Sequence, residues 1–449
     1  MKRTSLLWLA IASVALAGTL HAATRPHYGG TLRIEIAASL SSLDPVDVSN
    51  RSVSAAIRDI APLLFDTLIT IDSRGEVQPS LATAWKSDFN ARRWELQLRP
   101  GITFSDGTPL TANEVSAALR AANPQWRISA EGESVIIESD VSNAELPAEL
   151  ALARNSILLR PGGRLIGTGP FTVSQWDARK NLKVTARDDY WDGRPFVDTV
   201  EISMGRVPRD QALSLDLGRA DVIEVAPGQP RRAASVKNSA PDELLALVFN
   251  RAAQSQEDGL LRQALSSGID RDLLNNVVLQ GAGEPAGGLL PNWMTGYEFA
   301  FLTPSGHTQS HADIKQSLPW KLSYDPNDIM ARVIAERIAL NAQDAGVRVQ
   351  LVTSGVSDLR LLQLPLSSRN PRVALSELAA ALQFPAPSFH GGSAEDLYAA
   401  ENTMLKSQRV IPLLHVRNAV GLASNVHGWD EGQDGSWNVP NVWLNAEKP

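Results

Sequence analysis

The sequence predicts an α/β protein, and three features of its pattern predict that class. Segments with the period of a strand and segments with the period of a helix alternate along all 449 residues. In Trp94–Leu98 apolar and polar residues alternate, which is typical of a half-buried strand. Ile329–Ala345 has the apolar spacing of a helix and is followed by Gly346, a common helix stop. No fixed repeat or long low-complexity tract interrupts this alternation.

The first elements follow in chain order. Gly29–Ile36 is strand-like, and Arg51–Leu64 carries the apolar stripe of an amphipathic helix. After the strand at 94–98, Pro100-Gly101 predicts a turn, because proline fixes φ and glycine tolerates positive φ. Thr111 is a candidate N-cap and Glu114 completes a capping box, so a helix is expected to begin there.

The rest of the chain continues the same alternation. The further predicted elements are strands at Leu182–Ala186, Thr199–Ser203, Ala220–Val225 and Val347–Thr353 and a helix at Arg209–Leu217. A helix precedes a strand both at 209–225 and at 329–353, which supports the α/β class.

Residues 1–23 have the features of a secretory signal peptide. Lys2 and Arg3 precede an apolar run, Leu6–Gly18, and Leu20–Ala23 offers a cleavage site. The run is shorter than the roughly 20 apolar residues that a transmembrane anchor needs, so we expect export, cleavage and a periplasmic mature protein. The chain has no cysteine, which excludes disulfides, cysteine nucleophiles, zinc–thiolate sites and a lipobox.

Charge and motifs argue against nucleic-acid binding and against catalysis. The net charge is −7 at pH 7, and removal of the signal peptide would make it more negative, which disfavours nucleic acid as a partner. Neither a nucleophile elbow nor a P-loop is present. His307 and His311 stand four residues apart, but their surroundings are loop-like and no second ligand pair is evident, so an exposed linker is predicted rather than a metal site. We therefore predict a protein that is not an enzyme and has no cofactor.

Several sequence blocks carry a family resemblance. In chain order they are Gly29–Arg33 with Leu43–Pro45, Pro62–Leu68, Pro79–Trp85, Trp94–Val115, Gly167–Phe171, Tyr190–Pro195, and Leu261–Leu265 with Ile269–Arg271. Together these blocks resemble the family 5 extracellular solute-binding proteins, the peptide- and nickel-binding proteins of ABC importers.

The resemblance implies a two-lobe, type II periplasmic-binding-protein fold with an extra subdomain in lobe one. The implied divisions are lobe one at 24–247, its extra subdomain at 46–162, lobe two at 248–417 and a return to lobe one at 418–449. The chain would cross between the lobes near Leu247–Asn250 and near Val416–Asn418. Two crossings would let the lobes close on a ligand as rigid bodies.

The chain departs from the family in lobe two. Peptide-binding members carry a Gly-Trp pair and, four residues after that glycine, an Asp that receives the peptide's α-ammonium. Here Gln363-Leu364 replaces the Gly-Trp pair and Ser367 replaces the Asp. A buried ammonium without a counter-charge is costly, so a free-amine peptide should bind poorly. The stretch between Pro371 and Ile411 is also shorter than usual, which either reshapes one wall of the cleft or removes a surface excursion without consequence.

The resemblance also places the ligand cleft between the loop after Leu43–Pro45 and the departing segment of lobe two. The predicted ligand-binding residues are Ser49, Asn50 and Arg51 on one side and Gln363, Ser367, Ser368 and Arg369 on the other. The two arginines favour a ligand with a carboxylate or another acceptor group, which a guanidinium can bind in bidentate fashion. The alternative is that both arginines face solvent.

Tryptophans are a second source of candidates for the cleft. Trp293, Trp429 and Trp437 lie outside the family blocks and are possible cleft residues. Core packing is expected of Trp85, Trp94, Trp176 and Trp191, which fall within blocks that resemble the family's structural motifs.

The function that these features imply is ligand binding. We expect a monomeric, periplasmic solute-binding component of an ABC importer that captures a small ligand, peptide-like or other, and works with a permease in the inner membrane. The alternative is a transport-independent ligand sensor or a periplasmic chaperone on the same fold. The sequence does not identify the ligand.

Overall fold

The computed structural model describes most of the chain: residues 25–47, 51–72, 74–226, 235–301, 316, 318–326, 328–389, 392–430 and 436–445. Of residues 51–54 it describes the backbone but not the side chains. The predicted signal peptide, Ser49 and Asn50, and the pair His307 and His311 lie outside the described residues.

The described strands alternate with helices, as expected. In chain order the strands are β1 (Thr31–Glu35), β2 (Ile69–Ile71), β3 (Val77–Pro79), β4 (Ala82–Ser87), β5 (Arg93–Leu98), β6 (Arg127–Glu131), β7 (Ser134–Glu138), β8 (Leu158–Leu159), β9 (Ile166–Gly167), β10 (Phe171–Asp177), β11 (Asn181–Ala186), β12 (Thr199–Ser203), β13 (Val222–Glu224), β14 (Ser235–Phe249), β15 (Gly283–Pro285), β16 (Trp320–Ser323), β17 (Val349–Val352), β18 (Leu359–Pro365), β19 (Val410–Leu422), β20 (Val426–His427) and β21 (Trp443–Leu444).

The helices begin at capping residues in several cases. They are α1 (Arg51–Leu64), α2 (Ala112–Ala122), α3 (Leu146–Glu149), α4 (Pro208–Asp216), α5 (Gln256–Gly268), α6 (Arg271–Leu273), α7 (Asn292–Thr295), α8 (Ile329–Asp344), α9 (Pro371–Ala381) and α10 (Ala394–Lys406). Single 3₁₀ or π turns lie at Ala153–Asn155, Pro161–Gly163, Leu274–Val278, Glu298–Ala300 and Val439–Asn441. Thr111 caps α2 as predicted, because its hydroxyl accepts from the Asn113 backbone N–H at 3.3 Å.

One sheet of eleven strands runs through the whole molecule. Its order is β10-β11-β12-β1-β13-β19-β14-β18-β16-β17, with β15 paired to β19 outside this path. A separate four-stranded sheet has the order β4-β5-β7-β6, and the pairs β2-β3, β8-β9 and β20-β21 form two-stranded sheets.

Two main hydrophobic cores lie along the long sheet and define two lobes. The first combines β1, β10–β12, α1 and the C-terminal residues up to Leu444, and we call this part lobe one. The second combines β14, β16, β18, β19, α5 and α8, with α9 and α10 packed on the other face of the sheet, and we call it lobe two. A third core, from Leu68 to Ile166, belongs to the four-stranded sheet and α2, and we call it the subdomain. Helix α1 packs in the core of lobe one, so this third core begins about twenty residues later than the expected extra subdomain at 46–162.

The long strands β14 and β19 connect the two lobes. Ser235–Asn238 of β14 pair with β19 beside β13 of lobe one, whereas Glu243–Phe249 pair with both β19 and β18 of lobe two. The register is irregular between Asn238 and Glu243. We call this stretch, together with Val416–Ala419 of β19, the crossing. The β14 part of the crossing lies several residues before the position expected at 247–250. The reason is that the apolar run after Glu243 is buried inside lobe two.

Candidate ligand-binding cavity

A cavity of about 920 Å³ is walled by both lobes and the subdomain. This is within the size range of small-molecule binding sites. Residues that line it include Ile57, Arg58, Ala61, Asp66, Thr70, Ile71, Leu152, Arg154, Tyr190, Trp191, Arg194, Pro365, Ser367, Ser368, Arg369, Glu377, Ser436 and Trp437.

The wall from lobe two is the loop between β18 and α9. The Leu366 backbone N–H donates to the Asp242 carbonyl at 2.8 Å, which ties the start of the loop to the crossing. Ser368 is buried, and its hydroxyl accepts from the Asn370 backbone N–H at 3.1 Å. Asn370 in turn caps α9 by accepting from two backbone N–H groups. The loop is therefore held at both ends, and Ser367 and Arg369 face the cavity from a fixed backbone.

Arg369 reaches across the cavity toward lobe one and the subdomain. Its guanidinium donates to the Ile71 carbonyl at 3.5 Å and to the Ser436 hydroxyl at 3.2 Å. A Cβ added to Gly75 would lie 2.9 Å from the Arg369 carbonyl oxygen, so the backbones are also close here. The side chain thus links three parts of the molecule at one point of the cavity wall.

The predicted site residues divide into three groups. Ser367, Ser368 and Arg369 line the cavity. Gln363 is not among the lining residues, because it donates from β18 to the Glu243 carboxylate on the neighbouring strand. Ser49 and Asn50 lie outside the described residues, as does the side chain of Arg51 at the start of α1. That these residues bind a ligand remains a prediction.

Sequence reasoning missed an aromatic and acidic group on the lobe-one side. The Asp66 carboxylate accepts from the Tyr190 hydroxyl at 2.9 Å and from the Trp191 indole N–H at 3.1 Å. Burial raises the pKa of Asp66, and these donors oppose the shift. Arg99 stacks over the Trp191 ring at 4.7 Å. The residues lie in the family blocks at 62–68 and 190–195, but core packing, rather than a place in a cavity wall, is the sequence-based expectation for Trp191.

The three tryptophans that are possible cleft residues lie in different places. Trp437 lines the cavity, and Trp429 packs beside it with ring centroids 5.8 Å apart. Trp293 donates from its indole N–H to the Pro241 carbonyl at 2.7 Å, which places it at the crossing rather than in the lining.

Arg58 on α1 is a second group that the sequence did not indicate. Its Nη1 lies 3.1 Å from Oδ2 of Asp242, and its Nε lies 3.3 Å from Oδ1 of Asp59. Asp242 has a fully buried side chain and also accepts from Ser239 at 3.0 Å and from Asn418 at 2.9 Å. Burial raises the pKa of Asp242 to about 6, even though the Arg58 charge opposes that shift.

The subdomain contacts lobe two through helix α9. Arg154 pairs with Glu377 of α9 at 2.6 Å, and Arg372 of α9 pairs with Glu145 at 2.9 Å. Between these ion pairs an apolar cluster joins Val373 of α9 to residues of the subdomain, Ile71, Val77, Ala148 and Leu152. We call these ion pairs and this cluster the clasp.

Across the described residues we find no group of three or more His, Asp or Glu side chains that could hold a metal ion. Likewise, none of the helices in the described ranges combines the length and the apolar character needed to cross a bilayer.

A family model matches a large part of the chain. The model is described as bacterial extracellular solute-binding proteins, family 5 Middle, and it matches residues 76–144 and 159–389. The matched ranges include the sheet of the subdomain, the crossing strand β14 and the loop that carries Ser367.

Individual proteins are also similar to this chain. The dipeptide-binding protein of Escherichia coli (strain K12) is 24% identical over 344 residues, which is 62% of this chain and 63% of the relative. The structure of the oligopeptide-binding protein AppA from Bacillus subtilis, in complex with a nonapeptide, has a TM-score of 0.72 at 15% identity and covers 94% of this chain and 100% of that chain. The structure of NikA from Brucella suis, in complex with Fe(III)-EDTA, has a TM-score of 0.78 at 18% identity and covers 93% of this chain and 100% of that chain.

These structural similarities establish the two-lobe fold. The alignments to curated relatives are shorter: one spans 30% of the relative's own length and another spans 63%.

Proposed function

We propose that this chain, which belongs to the bacterial extracellular solute-binding proteins of family 5, is the periplasmic binding component of an ABC importer. The observation that carries this proposal is the cavity of about 920 Å³, whose walls come from both lobes. A ligand that touches both walls would favour the closed arrangement, and a membrane permease would recognise that arrangement.

The contacts around the cavity support a closing motion. The crossing connects the lobes through two paired strands, whereas the clasp joins the subdomain to lobe two through ion pairs and apolar side chains. Side-chain contacts can separate without breaking a strand ladder, so opening would begin at the clasp. We propose that the clasp forms when the lobes close.

The lining also supports a ligand class. Arg58, Arg154 and Arg369 face the cavity, and the loop from lobe two contributes hydroxyls at Ser367 and Ser368. Arginine binds carboxylates and other planar acceptors with two parallel hydrogen bonds. We propose a small ligand that carries a carboxylate or another acceptor group, and we expect peptides with a free amine to bind poorly.

The location and the partners follow from the same proposal. Residues 1–23 would direct export and be cleaved, and the mature protein would act as a monomer beside an inner-membrane permease. It would bind its ligand without chemical change, in keeping with a family of solute-binding proteins.

Native mass spectrometry of the protein purified from its own periplasm tests the proposal. The expected result is a complex heavier than the chain after removal of residues 1–23, and the mass difference identifies the ligand. Ser367→Trp should abolish this complex, because the indole would fill the cavity from the lobe-two wall.

Ser87→Trp is the matched control, since Ser87 is exposed on β4 and does not line the cavity. It should retain the ligand. The proposal is wrong if the wild-type protein carries no ligand and binds none from a periplasmic extract, or if both variants keep the ligand equally.

A further inference from the structure

Asp242 holds a buried negative charge at the crossing, immediately behind the cavity wall. Its side chain has no exposed surface, and its two oxygens accept from Ser239, Asn418 and Arg58. Ser239 and Asn418 are neutral, so of these three donors Arg58 alone brings a positive charge. The adjacent Glu243 is also buried and adds a second negative charge to the same region.

Arg58 separates Asp242 from the cavity. The arginine lines the cavity with 14% of its side chain exposed, whereas Asp242 is not among the lining residues. The Nη1 atom that bonds Asp242 at 3.1 Å belongs to the same guanidinium as the Nε atom beside Asp59 at 3.3 Å. The guanidinium is thus fixed from behind by carboxylates.

We infer that Arg58 determines ligand specificity by acting as a built-in cation: it fills the place beside Asp242 that a ligand's ammonium group would otherwise take. The cavity then rejects a cationic group at this point and accepts an anionic or neutral acceptor group. This inference rests on the proposed function, because it assumes that the cavity takes a ligand.

The physical reason is the cost of an unpaired buried charge. A ligand ammonium could reach Asp242 only by displacing Arg58, and the largely buried guanidinium would then lose its ion pair with Asp242. In a variant with a shorter side chain at position 58, Asp242 is instead the buried charge that lacks its partner. A space also opens between Asp242 and the cavity. A small alkylammonium ion would supply the positive charge that Asp242 then lacks.

Arg194 provides a matched comparison on the same cavity. It also lines the cavity and also contacts two carboxylates, Asp188 at 2.6 Å and Asp198 at 2.5 Å. Those carboxylates are 88% and 52% exposed, so water already solvates them. Removal of Arg194 should therefore create no affinity for an amine, since a carboxylate in water gains little from a weak ion pair.

The test measures binding of propylammonium, with 1-propanol as the neutral probe of similar shape. By calorimetry, Arg58→Ala should bind propylammonium at least tenfold more tightly than wild type or Arg194→Ala, a difference of about 1.4 kcal/mol. The double variant Arg58→Ala/Asp242→Asn should lose this gain. 1-Propanol should bind none of the variants measurably.

A second readout covers the case in which Arg58→Ala does not fold in plain buffer. Propylammonium should then restore its circular dichroism spectrum, and 1-propanol should not. Arg58→Gln, which keeps a hydrogen-bond donor near Asp242, serves as the milder variant for the same calorimetry. The inference is wrong if neither Arg58 variant gains affinity for propylammonium, or if Arg194→Ala gains as much.

A peptide-like ligand can be tested with trialanine, whose affinity is measured with its amine free and with its amine acetylated. Arg58→Ala should raise the ratio of free-amine to acetylated affinity at least tenfold over the wild-type ratio. An unchanged ratio overturns the inference. If wild type binds no ligand at all, the proposed function fails, and the propylammonium measurement still decides the role of Arg58.

Discussion

The two lobes meet at the crossing and at the clasp, and the two junctions are built from different interactions. At the crossing, β14 and β19 pair through backbone hydrogen bonds, and the charged group that they enclose is fully buried. At the clasp, side chains of the subdomain and α9 are in contact, and the side chains in its ion pairs are between 14% and 30% exposed. The difference indicates a permanent junction and a reversible one.

Burial explains why the two junctions should respond differently to change. A buried charge is stabilised by its partner, so loss of that partner lowers the free energy of unfolding substantially. An ion pair near water is replaced by hydration at little cost. We therefore expect changes at the crossing to alter the free energy of unfolding, and changes at the clasp to alter the balance between open and closed forms.

The largest expected effect is a pH dependence of the free energy of unfolding, which arises from Asp242 at the crossing. Burial raises the pKa of Asp242 from 3.8 to about 6, against the opposing charge of Arg58 and with support from Glu243. The folded state therefore holds the proton more tightly than the unfolded state, so this contribution to stability is fully present below pH 4 and is lost as pH rises through 6. Between pH 4 and pH 7, wild type should lose on the order of 3 kcal/mol relative to Asp242→Asn. Urea unfolding of both proteins across this range measures the difference, and a constant difference would contradict the assignment.

The clasp should show a smaller effect on stability and a distinct effect on shape. The double change Glu145→Ala/Glu377→Ala removes both ion pairs between the subdomain and α9. The side chains of these pairs are 14–30% exposed, and an ion pair in contact with water contributes up to about 1 kcal/mol, so the free energy of unfolding should fall by no more than about 2 kcal/mol. The ligand-free radius of gyration, measured by small-angle X-ray scattering, should increase because the lobes separate more often.

A control for the clasp uses ion pairs that lie within one part of the molecule. Glu131 pairs with Arg93 inside the subdomain, and Glu336 pairs with Arg332 along α8. The double change Glu131→Ala/Glu336→Ala should leave the radius of gyration unaltered. An equal increase in both double variants would mean that the clasp has no special role.

The smallest expected effect concerns a close backbone approach at the clasp side of the cavity. Gly75 has a φ of +80°, and a Cβ there would lie 2.9 Å from the Arg369 carbonyl oxygen. Gly107 has a φ of +85° with nothing within 4 Å of its Cβ position. Both Gly→Ala changes should cost about 1 kcal/mol through the positive φ, as chemical unfolding would show. Gly75→Ala alone should also enlarge the ligand-free radius of gyration, and identical behaviour of the two variants would argue against a contact that depends on closure.

The local elements could be predicted from the sequence because their signals are local. Helix α1 spans Arg51–Leu64 as predicted, and α8 begins at Ile329 as predicted and ends one residue early at Asp344. The strand predicted at Trp94–Leu98 is β5, which begins one residue earlier. Amphipathic spacing and capping residues carry this information within a few residues of each element.

The cavity could be predicted only in part, because its residues come from distant segments. Ser367 to Arg369 were found as a departure from the family pattern. Arg58 gave no signal, since an arginine on the polar side of an amphipathic helix usually faces water. Its partner Asp242 is 184 residues away, and no local pattern relates the two. The same holds for the crossing, whose two strands are distant in sequence and whose bulged register was not predicted.

The C-terminal segment of the cavity wall has a consequence for the order of events during synthesis. Ser436 and Trp437 line the cavity, and Ser436 accepts from Arg369 of lobe two. Strand β19, which completes the crossing, also belongs to the last part of the chain. These residues are translated after the segments that form the other walls of the cavity. The cavity can therefore be complete only after translation has passed them.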